Sequence, residues 1–261
     1  GRLDGIEMIR QTPYNHSEYY RYLNCGYKLP LVGGTDKMSS EVPVGLYRTY
    51  VRIPPDEPFS YESWCAGMRA GRTFLSGGPI IKLRVDGHEP GDTLQLGNNG
   101  GSVTVEASAQ SPLPIHSLQI VQEGHVIAEA REVAGARRLS LTETVEVDAH
   151  TWLAARCGGP DYFDAPRHHD EWHRQRFAHT SPIYVASGGE EWSMWSDATA
   201  QYMLTLVDGS LKYIRHRSTQ YPDGHASHHH GEADHLAYLE RPFHEAREAI
   251  HRRMHQLGLP H

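Results

Sequence analysis

Residues 79–96 read PIIKLRVDGHEPGDTLQL, and this stretch decides the architecture. Ile81, Leu83 and Val85 alternate with Lys82, Arg84 and Asp86. A period of two turns one side of a segment to a core and the other to water, which is the signature of a half-buried strand. The same alternation recurs downstream. Val103, Val105, Ala107 and Ala109 alternate with polar residues, and Leu118 and Ile120 continue it. Glu123-Gly124 is a hairpin turn signal before residues 125–130. Leu139, Leu141, Val145 and Val147, then residues 152–156 and 183–186, complete the series. Short strands at this spacing predict an antiparallel, immunoglobulin-like sandwich of seven or eight strands over residues 79–210.

Upstream of residue 79 the texture is mixed. Residues 3–9 alternate like a strand and have no lead-in turn, which predicts a piece of a longer chain. Residues 17–25 predict a helix, with Ser17 as N-cap and Gly26 beyond its end. A short strand at 29–32 runs into Gly33-Gly34-Thr35-Asp36. Residues 45–53 alternate again and stop at Pro54-Pro55. Ser60 caps a second predicted helix, which Gly71 terminates. The pattern changes near residue 78, giving a first part at 1–78 and the sandwich at 79–210.

The third part, 211–261, opens with a Gly- and His-rich polar stretch at 221–234, read as a loop. Pro242 is placed at the first position of a terminal helix running to Leu257. Phe243, Ala246, Ile250, Met254 and Leu257 form one apolar stripe along it, and Gly258 and Pro260 end it. The whole is an α+β chain.

Composition excludes several functions. The 261 residues carry 25 Lys and Arg against 32 Asp and Glu, a net charge of −7, which argues against a general nucleic-acid or anionic-membrane binder. No apolar run approaches the roughly 18 residues of a membrane span. Cys25, Cys65 and Cys157 provide neither a disulfide framework nor a CxxC metal site. Histidine is the excess, at 19 residues, 14 of them at or after His168. Their protonation makes surface charge sensitive to pH near 6. GGTDKMSS lacks the spacing and Lys-Ser/Thr ending of a P-loop.

Four segments in order carry a family resemblance: YYRYLNCGYKLPLVGGTDKMSS (19–40), GLYRTYVRI (45–53), AGMRAGRTFLSGGPIIKLRVDGHEPGDTLQL (66–96) and AHTSPIYV (178–185). Together they resemble the rear portion of PHP-type (polymerase and histidinol phosphatase) metallohydrolases, in the branch related to carbaryl-type ester and amide hydrolases. The resemblance covers residues 3–210. It implies that 1–78 is the C-terminal part of a distorted β/α barrel whose strand ends hold two or three divalent metals (Zn, Mn or Fe), and that a β-sandwich follows. Parent activity is then metal-dependent hydrolysis of an ester, amide or phosphoester in a small molecule.

The resemblance carries one metal ligand onto this chain, Asp36. Where many relatives have His two residues later, Met38 stands here, a poor ligand for hard cations. The family's early His-x-His and its middle Glu and His ligands have no counterpart in residues 1–35 and are expected upstream. A catalytic zinc site uses about three protein ligands, so the chain alone is expected to be inactive and to bind no metal. Further candidates for metal or substrate contact are Glu7 on the first strand, His169 and His173 in one acidic and His-rich stretch, and His179 in AHTSPIYV. Each has a plainer reading: a turn residue for Asp36, a strand-end acid for Glu7, a charged surface loop for His169 and His173, and a hydrogen-bonded structural group for His179. The cluster from His225 to His235 reads as a solvated loop. The alternative function is a non-catalytic sandwich binding or assembly module, to which 14 Tyr and 5 Trp lend stacking surfaces. An open barrel edge predicts a homo-oligomer.

Overall fold

The computed structural model describes residues 3–8, 13–35, 37, 40, 44–159, 176–218, 231 and 234–259. In chain order its elements are β1 (Ile6–Glu7), α1 (Pro13–Asn24), β2 (Leu31–Val32), β3 (Arg48–Val51), α2 (Tyr61–Arg69), β4 (Thr73–Ser76), β5 (Ile80–Val85), β6 (Thr93–Gln95), β7 (Gly101–Gln122), β8 (His125–Val147), β9 (Thr151–Gly158), β10 (Phe177–Thr180), β11 (Ile183–Ala186), α3 (Asp197–Ser218) and α4 (His235–Gln256). This is a mixed α/β fold with a large, mostly antiparallel sheet and four helices among the described residues. The described strands do not close into a barrel.

Contacts divide the chain into two compact units, Gly1–Met194 and Trp195–His261. In the first, β1 and β2 pair in parallel, Ile6 opposite Leu31, with α1 between them in sequence. The nine remaining strands form one connected sheet, in the order β3-β4-β10-β9-β11-β6, with β7 joining β9 to β5 and β8. Only β6 and β11 pair in parallel within it.

The long hairpin β7–β8 carries the chain from one layer to the other. Residues 101–110 of β7 pair with β5 and β8, whereas residues 115–122 pair with β8 and β9. The register shifts between Gln110 and Ile115, where Pro112 and Pro114 withhold ladder donors. The turn at Glu123-Gly124 has φ values of 54° and 99°, the left-handed pair that a two-residue hairpin requires.

Alternation then assigns each face. Leu153, Ala155 and Cys157 of β9 join Ile81, Leu83 and Val85 of β5, together with the apolar side of β7, in one core. The intervening Trp152 and Ala154 join Tyr19, Tyr20 and Leu23 of α1 in a second core. The central strands are therefore covered on both sides, which gives a sandwich-like layering with α1 on the outer face.

Several predicted elements differ in detail. The first helix begins at Pro13 rather than at Ser17, since proline is at home in the first helical turn. The second matches its signals: Ser60 and Ser63 form a reciprocal capping box, and Gly71, at φ 72°, takes the left-handed position after the helix. In the second unit, α4 starts seven residues before Pro242, because Asp234 caps it by accepting a 3.0 Å bond from the Ala237 amide. Pro242 thus lies inside the helix rather than at its first position. Residues 197–210, read with the sandwich from sequence, are helical. Ile250 and Met254 of the predicted stripe pack with Ala200, and Arg215 pairs with Glu240 at 2.6 Å.

Candidate functional site

One end of the first unit gathers several strand ends, with Glu7 among them. β1 and β2 run in parallel, so Glu7 and Gly33-Gly34 lie at neighbouring C-terminal ends. β4 runs alongside β2, with the Thr73 hydroxyl donating to the Leu31 carbonyl at 2.7 Å. The register of β4, β10 and β9 then brings the end of β4, the start of β10 and the end of β9 to this same end. Glu7 is exposed, and its carboxylate lies over Gly34: a β-carbon added there would come 2.5 Å from Glu7 Oε1. Glycine keeps that space open. The Thr35 hydroxyl accepts from the Gly45 amide at 3.1 Å.

Asp36, His169 and His173 lie outside the described residues. The flanks of the segment that contains the two histidines are described, and the Gly159 amide donates to the Arg176 carbonyl at 2.9 Å, beside the β9–β10 pair. Of the downstream cluster, Asp234 is the α4 cap and His235 its first residue, while His225 and His228 to His230 fall outside. Among the described residues no group of three His, Cys, Asp or Glu side chains could hold a metal ion. Glu7 alone does not make a catalytic metal site.

His179 is fully buried on β10, one residue pair across from Arg156 on β9. Its Nδ1 lies 2.7 Å from the Thr180 carbonyl, which can only accept, so Nδ1 carries the proton. Its Nε2 then accepts from the Tyr20 hydroxyl at 2.7 Å. Burial, reinforced by the Arg156 charge, lowers its pKa to about 3. Both ring nitrogens are engaged and the ring is neutral, which suits a positioning group rather than a general base.

The groups around it were not singled out from sequence. His16 on α1 accepts at Nδ1 from Arg156 at 3.2 Å, and burial first, then Arg156, then His179, hold its pKa well below the ordinary histidine value. Arg156 Nε donates to Gln119 at 2.8 Å, and Gln119 donates to Glu129 at 3.1 Å. The Ser117 hydroxyl, 2.5 Å from Glu129, is the main reason that this carboxyl is held below the usual range. The network ties α1 to β7, β8, β9 and β10. The only hint in the sequence is that Arg156 sits on a largely apolar strand and that Gln119 lies among Leu118, Ile120 and Val121. Cys157 beside it is buried and its thiol is pushed up to about 12, so it is no nucleophile.

A groove of about 340 Å³ occupies the other end of β3, β4 and β10, between those strands and β5. Arg52, Arg72, Lys82, Arg84 and Glu89 line it, together with Tyr50 and Phe74. Alternation in the sequence puts Lys82 and Arg84 on the outer side of a strand, and nothing in it brings Arg52 and Arg72 to them.

No protein-family model matches the chain. No curated protein matches it. Among solved structures, the neutron crystallographic structure of a Jonesia denitrificans lytic polysaccharide monooxygenase is similar at 10% identity, covering 59% of this chain and 87% of that chain, with a TM-score of 0.24. A likeness at that score carries no argument for fold or function here.

Proposed function

We propose that this chain is the rear portion of a PHP-type metal-dependent hydrolase, acting on an ester, amide or phosphoester bond of a small molecule through ligands that it only partly supplies. The observation that carries the reading is the convergence of strand ends. The parallel unit β1–α1–β2 is what a β/α barrel is built from. Its two C-terminal ends, with Glu7 at one and the approach to Asp36 at the other, meet at one mouth. An immunoglobulin-like sandwich after the barrel agrees with the layering of β5, β7, β8 and β9. The described residues do not by themselves form a metal site. In this reading Asp36 and Glu7 serve as carboxylate ligands or their neighbours, and the remaining ligands lie on other segments. A divalent ion bound there would supply an activated water and a clamp for developing negative charge.

The test compares this chain with the product of the whole reading frame that encodes it. Each is assayed on chromogenic ester, anilide and phosphodiester substrates with Mn²⁺, Zn²⁺ or Fe²⁺. The expected result is no turnover by this chain alone, and metal-dependent turnover by the whole product that Asp36→Asn lowers at least about 100-fold. Turnover by this chain alone, or a whole product indifferent to Asp36→Asn, overturns the reading.

A second reading, a non-catalytic binding or assembly module, is favoured by one observation, the cation-lined groove at the far end of the strands.

A further inference from the structure

The groove concentrates positive charge on a chain whose net charge is −7. Four cationic side chains reach it, and Glu89 is the one carboxylate in its lining. Glu89 is already shared. One of its oxygens lies 2.6 Å from Arg52 Nε, at the end of β3, and the other lies 3.2 Å from Arg84 Nη2, on β5. The Asp92 carboxylate holds the Glu89 amide at 2.9 Å and so fixes the turn that presents it. Arg72 and Lys82 have no ion-pair partner among the described residues. Formal charge in the groove is thus about three positive units, next to low-dielectric walls that focus the field.

The wall is aromatic. Tyr50 and Phe74 sit on adjacent strands with ring centroids 4.6 Å apart and planes 6° from parallel. Arg48 lies over Tyr50, 5.8 Å from its ring centroid, and Phe74 packs against the core, so the two rings offer the groove an apolar wall for a further ring to pack on rather than a free stacking face. The groove's volume lies at the lower end of the range for small-molecule sites. A free anion would use the cations and waste the wall. A neutral ring would use the wall and leave the cations solvated. A flat aromatic group joined to an anionic head satisfies both.

We propose that this groove is a binding site for an aromatic oxyacid, with the ring against Tyr50 and Phe74 and a phosphate or carboxylate head between Arg72 and Lys82. Glu89 acts as an internal competitor that tethers Arg52 and Arg84 when the site is empty. Guanidinium and ammonium groups bind such heads through charge-assisted hydrogen bonds. The proposal is independent of the hydrolase reading, since it uses no metal and no residue of the strand-end mouth.

The experiment is isothermal titration calorimetry of this chain in EDTA with two probes, 4-nitrophenyl phosphate and 4-nitrobenzoate, and two controls, inorganic phosphate and 4-nitrophenol. At least one probe is expected to bind at least about tenfold more tightly than either control, and the stronger probe identifies the head group. Arg72→Ala with Lys82→Ala should weaken that probe at least about tenfold. Glu89→Gln should bind it at least as tightly as the parent chain, and added salt should weaken it. Far-UV circular dichroism confirms that each variant is folded. Binding of neither probe, equal binding of inorganic phosphate, indifference to the Arg72/Lys82 change, or loss of binding in Glu89→Gln each overturns the proposal.

Discussion

At the scale of single residues, His16 and His179, the two histidines buried among the described residues, set a response to acid. His179 titrates at about 3 in the fold, below the ordinary value of 6.5, and His16 is shifted in the same direction. Between those pH values the unfolded chain binds a proton that the fold refuses. Stability therefore falls as pH drops below about 6.5, by up to ~1.4 kcal/mol per pH unit for each such histidine. Glu129, whose folded pKa is depressed, adds its loss only at lower pH, in the carboxylate range. Urea unfolding at several pH values between about 7.5 and 5 should show the decline. In His179→Gln, which keeps an acceptor for the Tyr20 hydroxyl, the slope should flatten; an unchanged slope would count against this account. The sequence shows 19 histidines and an expected charge change near pH 6. It does not show which of them are excluded from that change. His179 could be named from the AHTSPIYV segment. His16 could not, because its role depends on α1 packing across the sheet onto Arg156, which is 140 residues away in the chain.

At the scale of elements, the β7–β8 hairpin is the member on which both cores depend. Its turn needs two residues at positive φ, and Glu123 supplies one of them at 54° with a side chain poorly suited to it. Glu123→Asn should raise the thermal midpoint by a few degrees, on the order of 0.5–1 kcal/mol, since Asn-Gly is the favoured pair for this turn. Gly124→Ala should lower it, because a β-carbon there is strained at φ 99° and touches Tyr20 at 3.4 Å. Calorimetry of the two variants checks both signs, and a shift in the same direction for both would overturn the turn assignment. Here the sequence was informative, because Glu123-Gly124 falls between two alternating runs. It was less so within β7, where Pro112 and Pro114 divide one 22-residue strand into what reads as two. It failed at α3, which was read with the sandwich. Ala200, Met203, Leu204, Val207 and Leu211 recur at helical spacing, a signal present in the sequence but interrupted by Gly209.

At the scale of the molecule, the β1–β2 pair poses a problem of its own. Two parallel strands of two residues each are not stable alone, and parallel sheets are normally covered on both faces and extended at both edges. Here β2 is supported by β4 through the Thr73 hydroxyl and by Thr49, whose hydroxyl bonds both the amide and the carbonyl of Gly33 at 2.8 Å. β1 has no such neighbour on its far side among the described residues. Its Ile6 and Met8 amides donate inward to Pro30 and Val32, so by strand alternation the Gly5 and Glu7 amides point to the open side. An exposed strand edge with unpaired donors recruits a partner strand. The chain on its own is therefore expected to self-associate through β1. Light scattering across a concentration series should give a mass that rises above that of the 29.4 kDa monomer. The rise should disappear when Glu7→Pro removes the central outward donor, a change that leaves the two inward bonds to β2 intact. A monomer at every concentration would overturn this expectation.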